Sequence, residues 1–123
     1  MRPIRVAIVD DHALVREGLR LILETQPDIV VVGEAADPTA ALSLARAERP
    51  VVMLVDLTLQ DADGVSLIRE LRSLAAYDPV ALLVLSTEVN PELKQRGREA
   101  GATGWMAKPF DPQRMLDIVR TFI

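Results

Sequence analysis

Cysteine is absent from the 123 residues, which excludes disulfides, thiolate metal sites and cysteine nucleophiles. No apolar run approaches the roughly 20 residues of a membrane span. The opening MRPIRVAIVDDH meets charge too soon for a signal peptide, so the expected location is cytoplasmic, away from any membrane. An excess of positive charge is missing as well, the formal net charge being -4. Nucleic-acid affinity rests mainly on clustered Lys and Arg, so direct binding to DNA is not expected. Repeats, low-complexity tracts and linkers are absent too. A composition 50% hydrophobic and 26% charged suits one globular domain over residues 1–123.

What is there is a strict alternation of two kinds of run. Strand-like runs span Ile4 to Val9, Ile29 to Val32, Val51 to Val55, Val80 to Leu85 and Thr103 to Ala107. Helix-like runs follow each of them: His12 to Thr25, Pro38 to Glu48, Gly64 to Leu74, Pro91 to Ala100, and Pro112 through Met115, Val119 and Phe122. Asp11, Asp37, Asn90 and Asp111 stand where N-caps are wanted, three of them followed by Pro at the first helical position. Leu14, Val15, Gly18, Leu19 and Ile22 are the expected inner face of the first helix. The fourth helix has Leu93 as its only large apolar residue and Gly97 in its middle, which predicts weak anchorage and a low cost of shifting. Alternation with right-handed crossovers predicts an α/β fold, a flavodoxin-like doubly wound parallel sheet of five strands in the order 2-1-3-4-5 with helices on both faces.

The stretch VMLVDLTLQDADG, Val52 to Gly64, organises the chemistry. Its apolar run reads as a strand buried on both faces, carrying Asp56 to the carboxyl edge of the sheet, where such folds place their sites. In the predicted strand order Asp10, Asp11, Ser86 and Lys108 converge on the same crevice. Plainer alternatives stand beside these, since Asp10 and Asp11 suit helix capping, Ser86 a strand-end turn and a lone Asp56 the capping of a turn. Three carboxylates in one crevice repel one another unless a cation holds them, and oxygen-only donors favour Mg2+. A carboxylate is a competent nucleophile toward a phosphoryl group, giving an aspartyl phosphate. Lys108 supplies a cation for the charge that gathers during transfer, and Ser86 a hydroxyl that can hydrogen-bond a phosphoryl oxygen.

Four stretches, VDDH (Val9 to His12), VDLTLQDADG (Val55 to Gly64), LST (Leu85 to Thr87) and GATGWMAKPF (Gly101 to Phe110), resemble the receiver domain of two-component response regulators, and the resemblance covers essentially the whole chain. It implies that Asp56 is the phosphoacceptor, supplied by a histidine kinase or phosphotransfer protein. It implies that Asp10, Asp11 and Asp56, with the backbone carbonyl of Thr58, hold Mg2+. Ser86 and Lys108 correspond to the residues that contact the phosphoryl group. Ser86 and Trp105 correspond to the switch pair, Trp105 standing where Tyr or Phe is more common. Output would run through the face built from the fourth helix, fifth strand and fifth helix, and the domain would be a switch rather than an enzyme in the ordinary sense.

The first helix, DDHALVREGLRLIL, is most similar to receivers that precede a DNA-binding helix-turn-helix domain. No such domain lies within these residues, so a stand-alone receiver and a fragment both stay open. Leu59-Gln60 departs from the usual Met-Pro, and Thr87 replaces a frequent Ala or Gly. Three other readings are weighed by the same residues. An aspartate-nucleophile phosphatase would want a second Asp where Thr58 stands; a flavodoxin-like cofactor binder would find its phosphate repelled by Asp10 and Asp11; an interaction module that is never phosphorylated would have no use for the acidic set. His12 suits a phosphorelay donor or, more simply, a capping or surface residue.

Overall fold

Uninterrupted Val, Leu and Met bury both faces of two strands, β3 (Val52–Asp56) and β4 (Ala81–Ser86), every residue of which is buried. Such runs are the signature of a parallel sheet covered on both sides. The structure is a computed structural model describing residues 3–56, 64–74, 80–86, 91–107 and 111–121. Around the two central strands the chain alternates β1 (Ile4–Val9), α1 (Ala13–Glu24), β2 (Ile29–Ala35), α2 (Pro38–Glu48), then α3 (Gly64–Leu74) after β3, α4 (Pro91–Ala100) after β4, β5 (Gly104–Ala107) and α5 (Pro112–Arg120). All neighbouring strands are parallel, in the order β2-β1-β3-β4-β5. This is the expected doubly wound α/β fold.

Period-two alternation along the strands sorts the core into two layers. Ala7, Val9, Met53, Val55, Leu82 and Val84 face α2, α3 and α4, meeting Ala41, Ile68, Leu71 and Ala100. Ile8, Leu54, Leu83, Leu85 and Met106 face α1 and α5, meeting Leu19, Leu23, Met115 and Val119. Each fully buried Leu or Val contributes about 1.5–3 kcal/mol relative to exposure. Among α4's described residues only Gly97 and Ala100 are buried.

Polar contacts pin the ends of the elements. Asp37 accepts from Ala40 N at 2.8 Å and Asp111 from Gln113 N at 3.3 Å, with Pro38 and Pro112 following as expected. Arg72 on α3 donates to the Gly101 carbonyl at 2.8 Å and to Thr103 Oγ1 at 3.1 Å, and Thr103 Oγ1 accepts from Leu82 N at 3.0 Å. Gly101 has φ +119, and a β-carbon there would stand 2.9 Å from Arg72 Cγ, so the turn needs glycine twice over. Arg120 forks onto Asp28 at 3.0 and 3.1 Å and also meets Gln26, tying the end of α5 to the turn before β2. Hydrogen bonding from Arg120 holds the Asp28 carboxyl below its ordinary value.

Three expectations are corrected. The residue capping α1 is His12, not Asp11, and its side chain makes no cap bond; Asp10 Oδ1 accepts from His12 N at 2.9 Å instead. Leu14 is 82% exposed rather than inward, because Val15, Leu19, Ile22 and Leu23 form the stripe that meets the sheet and Leu14 lies about 100° around the helix from Val15. The second strand runs on to Ala35, since its pairing with β1 shifts by one residue between Val6 and Ala7 and then continues as far as Val9. The expectations placed on Thr58, Leu59, Gln60, Thr87, Asn90, Lys108 and Phe122, and on the Leu93 side chain, lie outside the described residues.

Candidate functional site

The carboxyl ends of β1, β3 and β4 bring polar residues to one edge of an otherwise apolar sheet. Register places Val9 beside Val55, Asp56 beside Leu85, and Ser86 beside Ala107. Asp10 follows β1 directly, and its N–H donates to the Ala35 carbonyl at 3.0 Å. Its own carbonyl accepts from Arg16 Nη1 at 2.6 Å, so the main chain bearing the acidic pair is held from both neighbours. Asp10, Asp56 and Ser86 are the buried polar residues among those described, each at most 1% exposed. By alternation Asp56 belongs to the sheet face under α1 and α5, and Ser86 to the face under α2, α3 and α4.

One donor atom from each of Asp10, Asp11, His12 and Asp56 falls within 4.8 Å of the others. Donors sharing an octahedral ion at about 2.1 Å stand about 3.0 Å apart when adjacent and about 4.2 Å when opposite. The three carboxylates therefore fit a hard divalent cation with little movement. Asp10, Asp11, Asp56 and Ser86 all lie at the strand ends that the sequence assigned to them; Thr58 and Lys108 fall outside the described residues.

His12 is the member whose place in the cluster the sequence did not reveal. Its Nδ1 lies 2.9 Å from Asp11 Oδ1 and 3.2 Å from Asp10 Oδ1. The signal was present in the unbroken DDH triplet; His12 has an extended backbone, with φ -100 and ψ 111, and its ring stands beside both carboxylates.

On the α4 side, Trp105 of β5 packs into the layer shared with α2, α3 and α4. Its ring lies against Gly97, where a β-carbon would come within 2.9 Å of Cζ3. Trp105 Nε1 is buried with no hydrogen-bond partner among the described residues. Beside it is a cleft of about 160 Å3 lined by Lys94, Arg98, Ala102 and Thr103.

A family model described as the response regulator receiver domain matches residues 6–120. The chain belongs to that family. A chemotaxis protein of Vibrio cholerae, CheY4, superposes on this receiver domain with a TM-score of 0.88 at 31% identity, covering 98% of this chain and 99% of that one. A transcriptional regulatory protein of Bacillus subtilis, YxjL, is 34% identical over 117 residues, which are 95% of this chain and 53% of the relative. A protein-glutamate methylesterase/protein-glutamine glutaminase of Anaeromyxobacter dehalogenans is 39% identical over 110 residues, 88% of this chain and 30% of the relative. The receiver domain thus spans about half, or less, of the length of these two curated relatives. Receiver domains bind Mg2+ at their acidic pocket, and the carboxylates here have the chemistry for it. No helix among the described residues is long and apolar enough to cross a membrane.

Proposed function

We propose that this receiver domain is a phosphorylation-activated switch working in the cytoplasm, and that Asp56 is its phosphoacceptor. The observation that carries the reading is the position of Asp56. It is the last residue of the central strand, 1% exposed, with donor atoms of Asp10 and Asp11 within 4.8 Å. A carboxylate oxygen of Asp56 attacks the phosphorus of a phosphohistidine on a histidine kinase or phosphotransfer protein. The bond from phosphorus to the donor's imidazole nitrogen breaks, and an acyl phosphate forms. Asp10, Asp11 and Asp56, with the Thr58 carbonyl, are the proposed holders of Mg2+, which when bound offsets the negative charge gathering on the transferring group. Lys108 and Ser86 are the proposed contacts to the phosphoryl oxygens. No step needs a substrate turned over by this domain, so it acts as a switch rather than an enzyme.

Output is proposed to pass through α4, β5 and α5. Ser86 and Trp105 lie on the same side of the sheet by alternation, so a Ser86 that moves toward the phosphoryl group frees room for the Trp105 ring. Phosphorylation would then shift a balance between two ring positions. The names of the longer relatives, transcriptional regulatory proteins and methylesterases, support an effector beyond this domain. The resemblance of α1 to receivers preceding a helix-turn-helix favours a DNA-binding one, with this receiver itself making no direct nucleic-acid contact.

Incubation with Mg2+ and acetyl phosphate, followed by mass measurement, tests the reading. One phosphoryl mass should appear on the wild type and none on Asp56→Asn, whose side chain is nearly isosteric. Beryllofluoride with Mg2+ should change the emission of Trp105, the only Trp, in the wild type alone. Full labelling of Asp56→Asn would refute the assignment.

A further inference from the structure

Oxygen donors from three carboxylates suit Mg2+, yet the cluster also contains the chain's only imidazole. His12 Nδ1 stands 2.9 Å from one Asp11 oxygen and 3.2 Å from one Asp10 oxygen. Two donors on one ion stand about 3.0 Å apart in an octahedral shell at 2.1 Å, and about 3.3 Å apart in a tetrahedral one. The nitrogen is therefore already at ligand spacing from both carboxylates. Its main chain is held, with the His12 N–H donating to Asp10 Oδ1 at 2.9 Å, which leaves only the two side-chain torsions of the ring to be ordered. The side chain is still 58% exposed, which leaves a path for an ion to enter.

Resting on the reading of this pocket as a metal site, we propose that His12 is a nitrogen ligand that turns the pocket's preference from Mg2+ toward borderline first-row ions, Zn2+ in particular. Mg2+ is a hard ion that gains nothing from imidazole, whereas imidazole suits zinc, and zinc closes a shell of four protein donors. Asp10, Asp11, Asp56 and His12 supply three oxygens and one nitrogen, one atom of each within 4.8 Å of the others, and closing a tetrahedral shell draws that set in to edges of about 3.3 Å. Zn2+ and Mg2+ then compete for the same carboxylates. A zinc-filled pocket keeps no open position for a phosphoryl oxygen, so zinc acts as an antagonist of the switch.

The test uses the untagged chain at one fixed pH, titrated calorimetrically with Mg2+ and, separately, with Zn2+. Wild type should bind Zn2+ more tightly than Mg2+. His12→Ala and His12→Asn should each lose about tenfold or more in Zn2+ affinity while Mg2+ affinity stays as in wild type. Nitrogen NMR of the single imidazole should show the Nδ1 resonance move on adding Zn2+ to wild type and stay in place on adding Mg2+. Unchanged Zn2+ affinity in both variants, or an unmoved Nδ1 resonance at saturating Zn2+, overturns the proposal. A loss of Mg2+ affinity in the variants as large as their loss of Zn2+ affinity also overturns it, whereas failure of Mg2+ to bind wild type counts against the proposed function instead.

Discussion

The ring of Trp105 occupies the space that a side chain on Gly97 would fill, with Cζ3 2.9 Å from the position of the missing β-carbon. The glycine in the middle of α4 is thus the notch that accepts the ring, and the weakness it gives the helix is the same feature seen from the other side.

Gly97→Ala should expel the ring. Overpacking with the ring in place costs about 1–3 kcal/mol, whereas the substitution favours the helix by roughly 0.5–1 kcal/mol once the ring leaves. Leaving also lets water reach Nε1, which has no partner among the described residues. Emission should shift red and acrylamide quenching should rise, without Mg2+ or any phosphoryl mimic. Unaltered emission with a large loss of stability would mean that the helix moves and the ring does not.

Mg2+ should raise the melting temperature of the wild type, and Asp11→Ala should abolish that rise, since ligand-induced stabilisation needs the site. Without Mg2+ the variant should be more stable by on the order of 1 kcal/mol, the scale of one partly screened charge repulsion removed from the cluster. Melts with and without Mg2+ decide it, and a variant that keeps the full Mg2+ response would show Asp11 to be no ligand.

Thr103→Val should destabilise the domain by about 1–3 kcal/mol, because the partly buried Leu82 N–H loses its acceptor while the volume is retained. Arg72 keeps its bond to the Gly101 carbonyl, so the loss should be nearly as large in an Arg72→Ala background. Urea unfolding of the three variants gives the comparison; a Thr103→Val curve superposing on wild type would contradict it.

Acid should erase the part of Arg120's contribution that runs through Asp28, leaving its bond to Gln26. The folded state holds Asp28 below its ordinary value through the Arg120 guanidinium. A depressed carboxyl stabilises above its unfolded value and loses that stabilisation as pH falls through its folded one. Arg120→Ala should therefore be less stable than wild type at neutral pH, with the gap narrowing in acid below the ordinary carboxylate range. A carbonyl-carbon titration by NMR should also find Asp28 titrating higher in the variant. A gap that persists unchanged in acid would assign the loss to packing.

Much of this architecture was legible in the chain because its signals are local and strong. The bounds of α3, Gly64–Leu74, follow from apolar spacing, and β3 and β4 from runs that no surface strand could carry. Leu14 misled because α1 carries a second apolar stripe, with Leu14 82% and Leu21 64% exposed, alongside the one that meets the sheet, and periodicity alone does not say which stripe faces inward. The edge residues Asp10, Asp56 and Ser86 could be placed from strand ends and strand order. The approach of His12 to the carboxylates depends on one extended residue before a helix, and no pattern of hydrophobicity reports that.

The alternation that assigns Asp56 to one layer and Ser86 to the other has a thermodynamic corollary. The two helical layers share a boundary at the carboxyl edge of the sheet, where Asp56 belongs to one layer and Ser86 to the other. Linkage is symmetric: under the proposed output, a protein that clamps Trp105 in one orientation changes the pocket's affinity for its cation or phosphoryl mimic by the same factor that the occupied pocket changes the clamp. On that proposal an effector docked on α4 is as much an input as an output, able to raise or lower the pocket's affinity for what it holds.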